Sequence, residues 1–202
     1  TADAALALYS GGADDPDPTI ANWPRDGGDD LEPCWCAASP SGRSAIVWFE
    51  RIDCPYGSIH DTQIAADVAF GEGARAEFGL VLNHRLGPDG RPRYLVAGVD
   101  AFDHALVLWE YNGSSESRLN VSRIPVATSP LAAGHWYRLS AIARPVDGSP
   151  ASAVVVVTLE DGPTTLASFT LITPRFGEPT GVHGLGTFSS RAWFRNLAIE
   201  DV

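Results

Sequence analysis

The sequence contains no lysine and no methionine, so all 14 of its basic residues are arginine. Against them stand 25 carboxylates, for a net charge of −11. Binding to a phosphate backbone is driven by basic clusters that release counterions, and this composition supplies none. The same shortage excludes docking on an anionic membrane. No apolar run approaches the roughly 20 residues of a membrane-spanning helix. The strongest, Ala153 to Leu159, has the length of a strand. A Gly-x-Ser-x-Gly nucleophile turn is missing, and the five histidines are scattered without metal-ligand spacing.

Cysteine is also scarce, with three residues at 34, 36 and 54. Cys34 and Cys36 are too close to bridge comfortably, so Cys54 is expected to pair with one of them. Cys36 to Cys54 is the pairing taken here, with free buried thiols as the alternative. No fourth ligand at finger-like spacing supports zinc. The chain begins Thr-Ala-Asp-Ala-Ala without an initiator methionine and reads as a processed product. Together with the cysteines, this points to an extracellular or cell-surface, secreted setting.

What is present is β structure. With 202 residues, 45% of them hydrophobic, the chain fits one large β domain spanning 1–202. Ala4 to Tyr9 is an expected edge strand. A long acidic, Gly- and Pro-rich loop follows at 10–42, with no element of its own foreseen. Thr62 to Phe70 alternates with Ile64, Ala66, Val68 and Phe70 on one face. Arg75 to Asn83 does the same with Ala76, Phe78, Leu80 and Leu82. Tyr94 to Val99, Ala105 to Tyr111, Leu119 to Ile124, Gly134 to Arg144, Thr165 to Leu171 and Val182 to Phe188 continue the series. Ala153 to Leu159 is so rich in valine that burial on both faces is expected, and Trp136 and Phe194 are assigned to the core. In the last strand, Ala192 to Glu200, Phe194 precedes Leu197 by three positions and Leu197 precedes Ile199 by two. All three can face inward only if the backbone slips by one residue, so a β-bulge is expected near Arg195 and Asn196. The result is an all-β, two-sheet antiparallel sandwich with no helix.

From residue 134 the order of signals carries a resemblance. Gly134-His-Trp-Tyr-Arg-Leu opens a strand, and a valine strand, an Asp161-Gly162 turn and a return strand follow. Gly181-Val-His-Gly-Leu-Gly then leads into Ala192-Trp-Phe-Arg-Asn-Leu-Ala-Ile. This resembles the concanavalin A-like jelly rolls, in particular laminin-G-like and keto-disaccharide-hydrolase-like domains. The resemblance implies two curved sheets, carbohydrate bound on the concave sheet or rim loops, and a structural calcium near paired termini.

Candidate sites follow from it. Asp14, Asp15 and Asp17, with Asp201 at the other terminus, would supply hard oxygens to calcium, and Asp26, Asp29 and Asp30 form a second option. A sugar platform needs an aromatic face flanked by planar polar groups. Val107, Trp109 and Tyr111 share one face of their strand, opposite Leu106 and Leu108. Tyr94, Asp100, His104, Trp109 and Tyr111 are therefore the ligand-binding candidates, with core packing as the rival role for the aromatics. For catalysis, the chain lacks the Glu-x-Asp-x-Glu strand of laminarinase-type enzymes. Glu50 and Asp53 fall on opposite faces, and Ser58-Ile-His60 matches a lyase strand only faintly. The expected function is a non-catalytic carbohydrate-binding or adhesion module whose partner is a glycan. A structural subunit of an extracellular or viral assembly and a polysaccharide-active hydrolase or lyase are the alternatives.

Overall fold

The computed structural model describes residues 6–9, 35–38, 44–49, 62–71, 77–112, 119–126, 130–147, 149–173, 182–188 and 191–201. The described residues form strands and turns without a helix. In chain order the strands are β1 (Leu6–Tyr9), β2 (Trp35–Ala38), β3 (Ser44–Phe49), β4 (Thr62–Phe70) and β5 (Glu77–Leu86). β6 (Pro92–Asp100), β7 (Ala105–Asn112), β8 (Leu119–Pro125) and β9 (Tyr137–Val146) follow. β10 (Ser149–Asp161), β11 (Thr164–Thr173), β12 (Val182–Phe188) and β13 (Arg191–Asp201) complete the set. They pair into a seven-stranded sheet, β1-β3-β12-β5-β6-β7-β8, and a six-stranded sheet, β11-β10-β9-β4-β13-β2. Every pairing is antiparallel, as a jelly-roll sandwich requires.

The core lies where the alternation places it. Ile64, Ala66, Val68 and Phe70 of β4 meet Phe78, Leu80 and Leu82 of β5 across the two layers. Phe78 stacks on Phe70 at 5.6 Å and meets Phe194 edge-on at 6.5 Å, so three rings clamp the sheets together. Burying each such ring contributes roughly 1.5–3 kcal/mol. The last two strands enter opposite sheets. β12 lies between β3 and β5, and β13 between β4 and β2. Residues far apart in the chain therefore close both layers at the end.

The bulge in β13 is where the spacing places it. Arg195 faces Asp67 and Ala198 faces Ala65, so two residues, Asn196 and Leu197, stand opposite one. Asn196 takes φ 50°, a left-handed value that Asn tolerates better than most side chains.

Three expectations are corrected. The region 10–42 does contain an element, β2, which pairs with β13 from Trp35↔Phe194 to Ala38↔Arg191. The valine strand is not buried on both faces: Val155, Val157 and Leu159 are fully buried, while Val154, Val156 and Thr158 on the outer face are half-buried. Trp136 is not a core residue. Tyr137, Leu139 and Ala141 are in phase with the core, which turns Trp136 outward, half-buried, with the Arg195 guanidinium 4.3 Å above its ring.

Candidate functional site

The hairpin β6–β7 organises the outward face of the seven-stranded sheet. Leu95, Ala97 and Val99 point inward, as do Leu106 and Leu108 of β7. The alternate residues point away from the core. They are Tyr94, Val96, Gly98 and Asp100 on β6, paired with Tyr111, Trp109, Val107 and Ala105. An outward sheet face is ordinarily polar. Here Val81, Tyr94, Val96, Ala105, Val107 and Trp109 form a second apolar cluster, with Tyr111 packed against it. Beside it Gly186, Gly79 and Gly98 are paired across three strands, leaving the backbone bare of side chains.

The aromatic end of this face holds three of the sequence candidates together. Tyr94 stacks on Tyr111 with centroids 5.0 Å apart and meets Trp109 edge-on at 5.9 Å. His84 lies 5.8 Å from the Tyr94 ring. Burial pushes the His84 pKa down to about 4, so its imidazole is neutral at physiological pH. Tyr94 and Trp109 are only 6% and 7% exposed, and Tyr111 is the half-buried member of the group.

Asp100 and His104 stand at the other end of the hairpin, about 20 Å away by strand rise over six residues. Asp100 Oδ1 accepts the backbone N–H groups of Phe102 and Asp103 at 3.0 and 3.1 Å, which fixes the turn. Its Oδ2 accepts from Arg123 Nη2 at 2.9 Å, and the same nitrogen pairs with Asp103. His104 takes φ 47° and is tied down twice. Its carbonyl accepts from Val126 N–H at 2.8 Å, and its Nδ1 accepts from Leu131 N–H at 3.0 Å. That second bond leaves the ring proton of the neutral form on Nε2. The turn so fastened carries Phe102, which is 62% exposed.

The sequence thus brings five candidates to one hairpin but divides them between its ends. Phe102 and Arg123 were not singled out. A phenylalanine between Asp100 and Asp103 was a readable sign, whereas the Arg123 contact joins residues 23 apart and is tertiary. A second polar group occupies the outer face of the other sheet. Asp67 accepts from Arg138 Nη1 at 3.1 Å and from Asn196 Nδ2 at 2.7 Å, and Arg195 lies 3.5 Å away.

The calcium candidates Asp14, Asp15, Asp17, Asp26, Asp29 and Asp30 lie outside the described residues, as do Cys34, Cys54, Glu50, Asp53, Ser58 and His60. The backbones of Cys36 and Asp201 are placed in β2 and β13. Among the described residues there is no group of three or more acidic, His or Cys side chains arranged to hold a metal ion.

No family model and no curated protein matches the sequence. Solved structures match the fold. A carbohydrate-binding module from Bacillus subtilis aligns with a TM-score of 0.61 at 17% identity, over 82% of this chain and 86% of that one. A Bacillus subtilis protein of unknown function with a galectin-like fold aligns at 0.59 and 12% identity, over 97% and 89%. The marine alginate lyase of Aplysia kurodai aligns at 0.55 and 12% identity, over 84% and 82%. At these identities the likeness is one of fold, an all-β, two-sheet antiparallel jelly-roll sandwich.

Proposed function

We propose that the chain is a single-domain, non-catalytic carbohydrate-binding or adhesion module working outside the cell, with the β6–β7 rim as its ligand-contacting surface. The observation that carries this reading is Phe102, an exposed ring on a turn fastened by Asp100, Arg123 and His104. An isolated exposed apolar residue is ordinary. One held on so constrained a turn loses little freedom on binding, which is what a contact residue needs. A sugar ring stacks its C–H groups on such a face, and its hydroxyls are met by planar polar groups. Here Asp103 supplies acceptor oxygens and Arg123 supplies donors. Asp100 and His104 act as positioning residues. At the far end of the face, the half-buried Tyr111, packed on the buried Tyr94 and Trp109, gives a longer glycan a second aromatic contact. The shared fold with a carbohydrate-binding module is consistent with this reading.

Calcium bound by Asp14, Asp15, Asp17 and Asp201 would link residues 14–17 to the end of β13, a proposal resting on the sequence alone. The test is a glycan-array screen of wild type and Phe102→Ala, each with calcium and with chelator, alongside a sugar-release assay on a polysaccharide panel. Binding to one glycan class that Phe102→Ala loses supports the rim. Absence of binding in both conditions rejects the carbohydrate reading and favours an assembly subunit. Release of reducing ends or unsaturated sugars would make the chain an enzyme instead.

A further inference from the structure

Each sheet has two edges, and an open edge invites pairing with another strand unless it is short, charged or interrupted. Among the described strands, three of the four edges are blunted in this way. β1 and β2 have four residues each, and β8 carries Arg123 and Pro125. The fourth, β11, is ten residues long and reads Thr164-Thr-Leu-Ala-Ser-Phe-Thr-Leu-Ile-Thr173. It has no charge, no proline and no glycine, and half of it is β-branched. In a chain of net charge −11 such a strand is conspicuous.

Its packing is also incomplete. Phe169 and Leu171 face the core yet remain half-buried, in contrast to Val155 and Val157 on the adjoining strand, which are fully buried. On the outer face Ile172 is 59% exposed. It pairs with Val154, and Thr170 pairs with Val156, so an uncharged stripe runs to the edge.

We propose that β11 pairs antiparallel with β11 of a second copy of this chain, joining two six-stranded sheets into one continuous sheet. A twofold contact of this kind needs a self-complementary strand. It must also keep inward residues opposite inward residues, which restricts the register. The register centred on Thr170 sets Phe169 opposite Leu171 and Ser168 opposite Ile172, covering both half-buried core side chains. Two copies repel one another through their net charge, so they approach best along an edge that carries none. Added salt therefore strengthens the dimer rather than weakening it. The inference is independent of the rim reading, and either can fail without the other.

The test is sedimentation equilibrium over a wide concentration range, with and without reductant. The expected result is a reversible dimer unaffected by reductant. Thr170→Lys sets two ammonium groups opposite each other and raises the dissociation constant by about tenfold or more. Because Thr170 is exposed, the melting temperature of the dilute variant stays at the wild-type value. In a Thr170→Cys variant the twofold brings the two sulfurs within bridging range, so oxidant traps a covalent dimer that wild type does not form. A monomer at every concentration, a dimer that reductant dissolves, or a dimer that Thr170→Lys leaves intact would each overturn the proposal.

Discussion

Asn196 Nδ2 donates to Asp67 Oδ2 at 2.7 Å, joining residues 129 positions apart across the bulge of β13. The bulge that lets Phe194 and Ile199 both face the core is therefore held by a carboxylate on the neighbouring strand. Asp67 also receives Arg138, whose Nη1 donates to the Asn196 carbonyl at 2.9 Å. Removing the carboxylate leaves two partly covered guanidinium groups short of a partner. Asp67→Ala is expected to cost about 1–3 kcal/mol. Asn196→Ala costs about 1–2 kcal/mol through its left-handed backbone, and Asn196→Gly less. Urea titrations with an unchanged m-value check both. If Asn196→Gly is as damaging as Asn196→Ala, backbone strain is not the cause.

A pH dependence follows from His84. Its pKa is about 4 in the folded protein against 6.5 ordinarily, because burial disfavours the charged ring. The unfolded chain therefore takes up a proton that the folded chain refuses. The stabilisation is complete above pH 6.5, declines as the pH falls toward 4 and is exhausted below that value. In full it amounts to about 3 kcal/mol, at roughly 1.4 kcal/mol for each pH unit between the two values. Between pH 7 and 4 wild type should lose about 3 kcal/mol of stability relative to His84→Gln. Parallel curves over that range would show that His84 titrates normally.

The residues that the sequence made legible are those whose role is set by period. The alternation in β4 and β5 marked the core face, and a one-residue excess between Phe194 and Leu197 marked the bulge. β12 begins and ends at the expected residues. Where period is silent, so was the reading. Four residues of β2 among prolines and glycines are too few to alternate. Valine favours strands whichever way it faces, so the run in β10 did not reveal a half-exposed side. Phe102 lies in a turn, where no period applies. The candidate residues Tyr94, Asp100, His104, Trp109 and Tyr111 all fall on one hairpin, but the distance between its ends is a property of the strand's length and its partner's register.

Gly79 shows why the outward face is bare at its centre. A Cβ there would stand 2.3 Å from the Ala97 carbonyl oxygen and 2.4 Å from Gly98 Cα, both backbone atoms of β6. Those atoms cannot yield without parting the strands, so Gly79→Ala is expected to cost at least about 2 kcal/mol. Gly71→Ala is the comparison, since its nearest neighbour at 3.1 Å is the half-buried Trp193 ring, a side chain rather than backbone and a longer contact than any at Gly79. Equal melting temperatures for the two variants would contradict this account.

Phe102 and Tyr94 separate binding from folding. Phe102 buries little, so Phe102→Ala should melt with wild type while its glycan affinity falls about tenfold or more, as for an aromatic contact residue. Tyr94 is buried against Trp109 and Tyr111, so Tyr94→Ala should lose about 2–4 kcal/mol of stability. Measured well below its melting temperature, that variant retains affinity if the rim alone contacts the ligand. Calorimetric melting and titration with the glycan class found on the array give both quantities for each protein. If Tyr111→Ala abolishes binding while Phe102→Ala leaves it unchanged, the ligand lies at the aromatic end of the face, and the fastened turn serves only to close the hairpin.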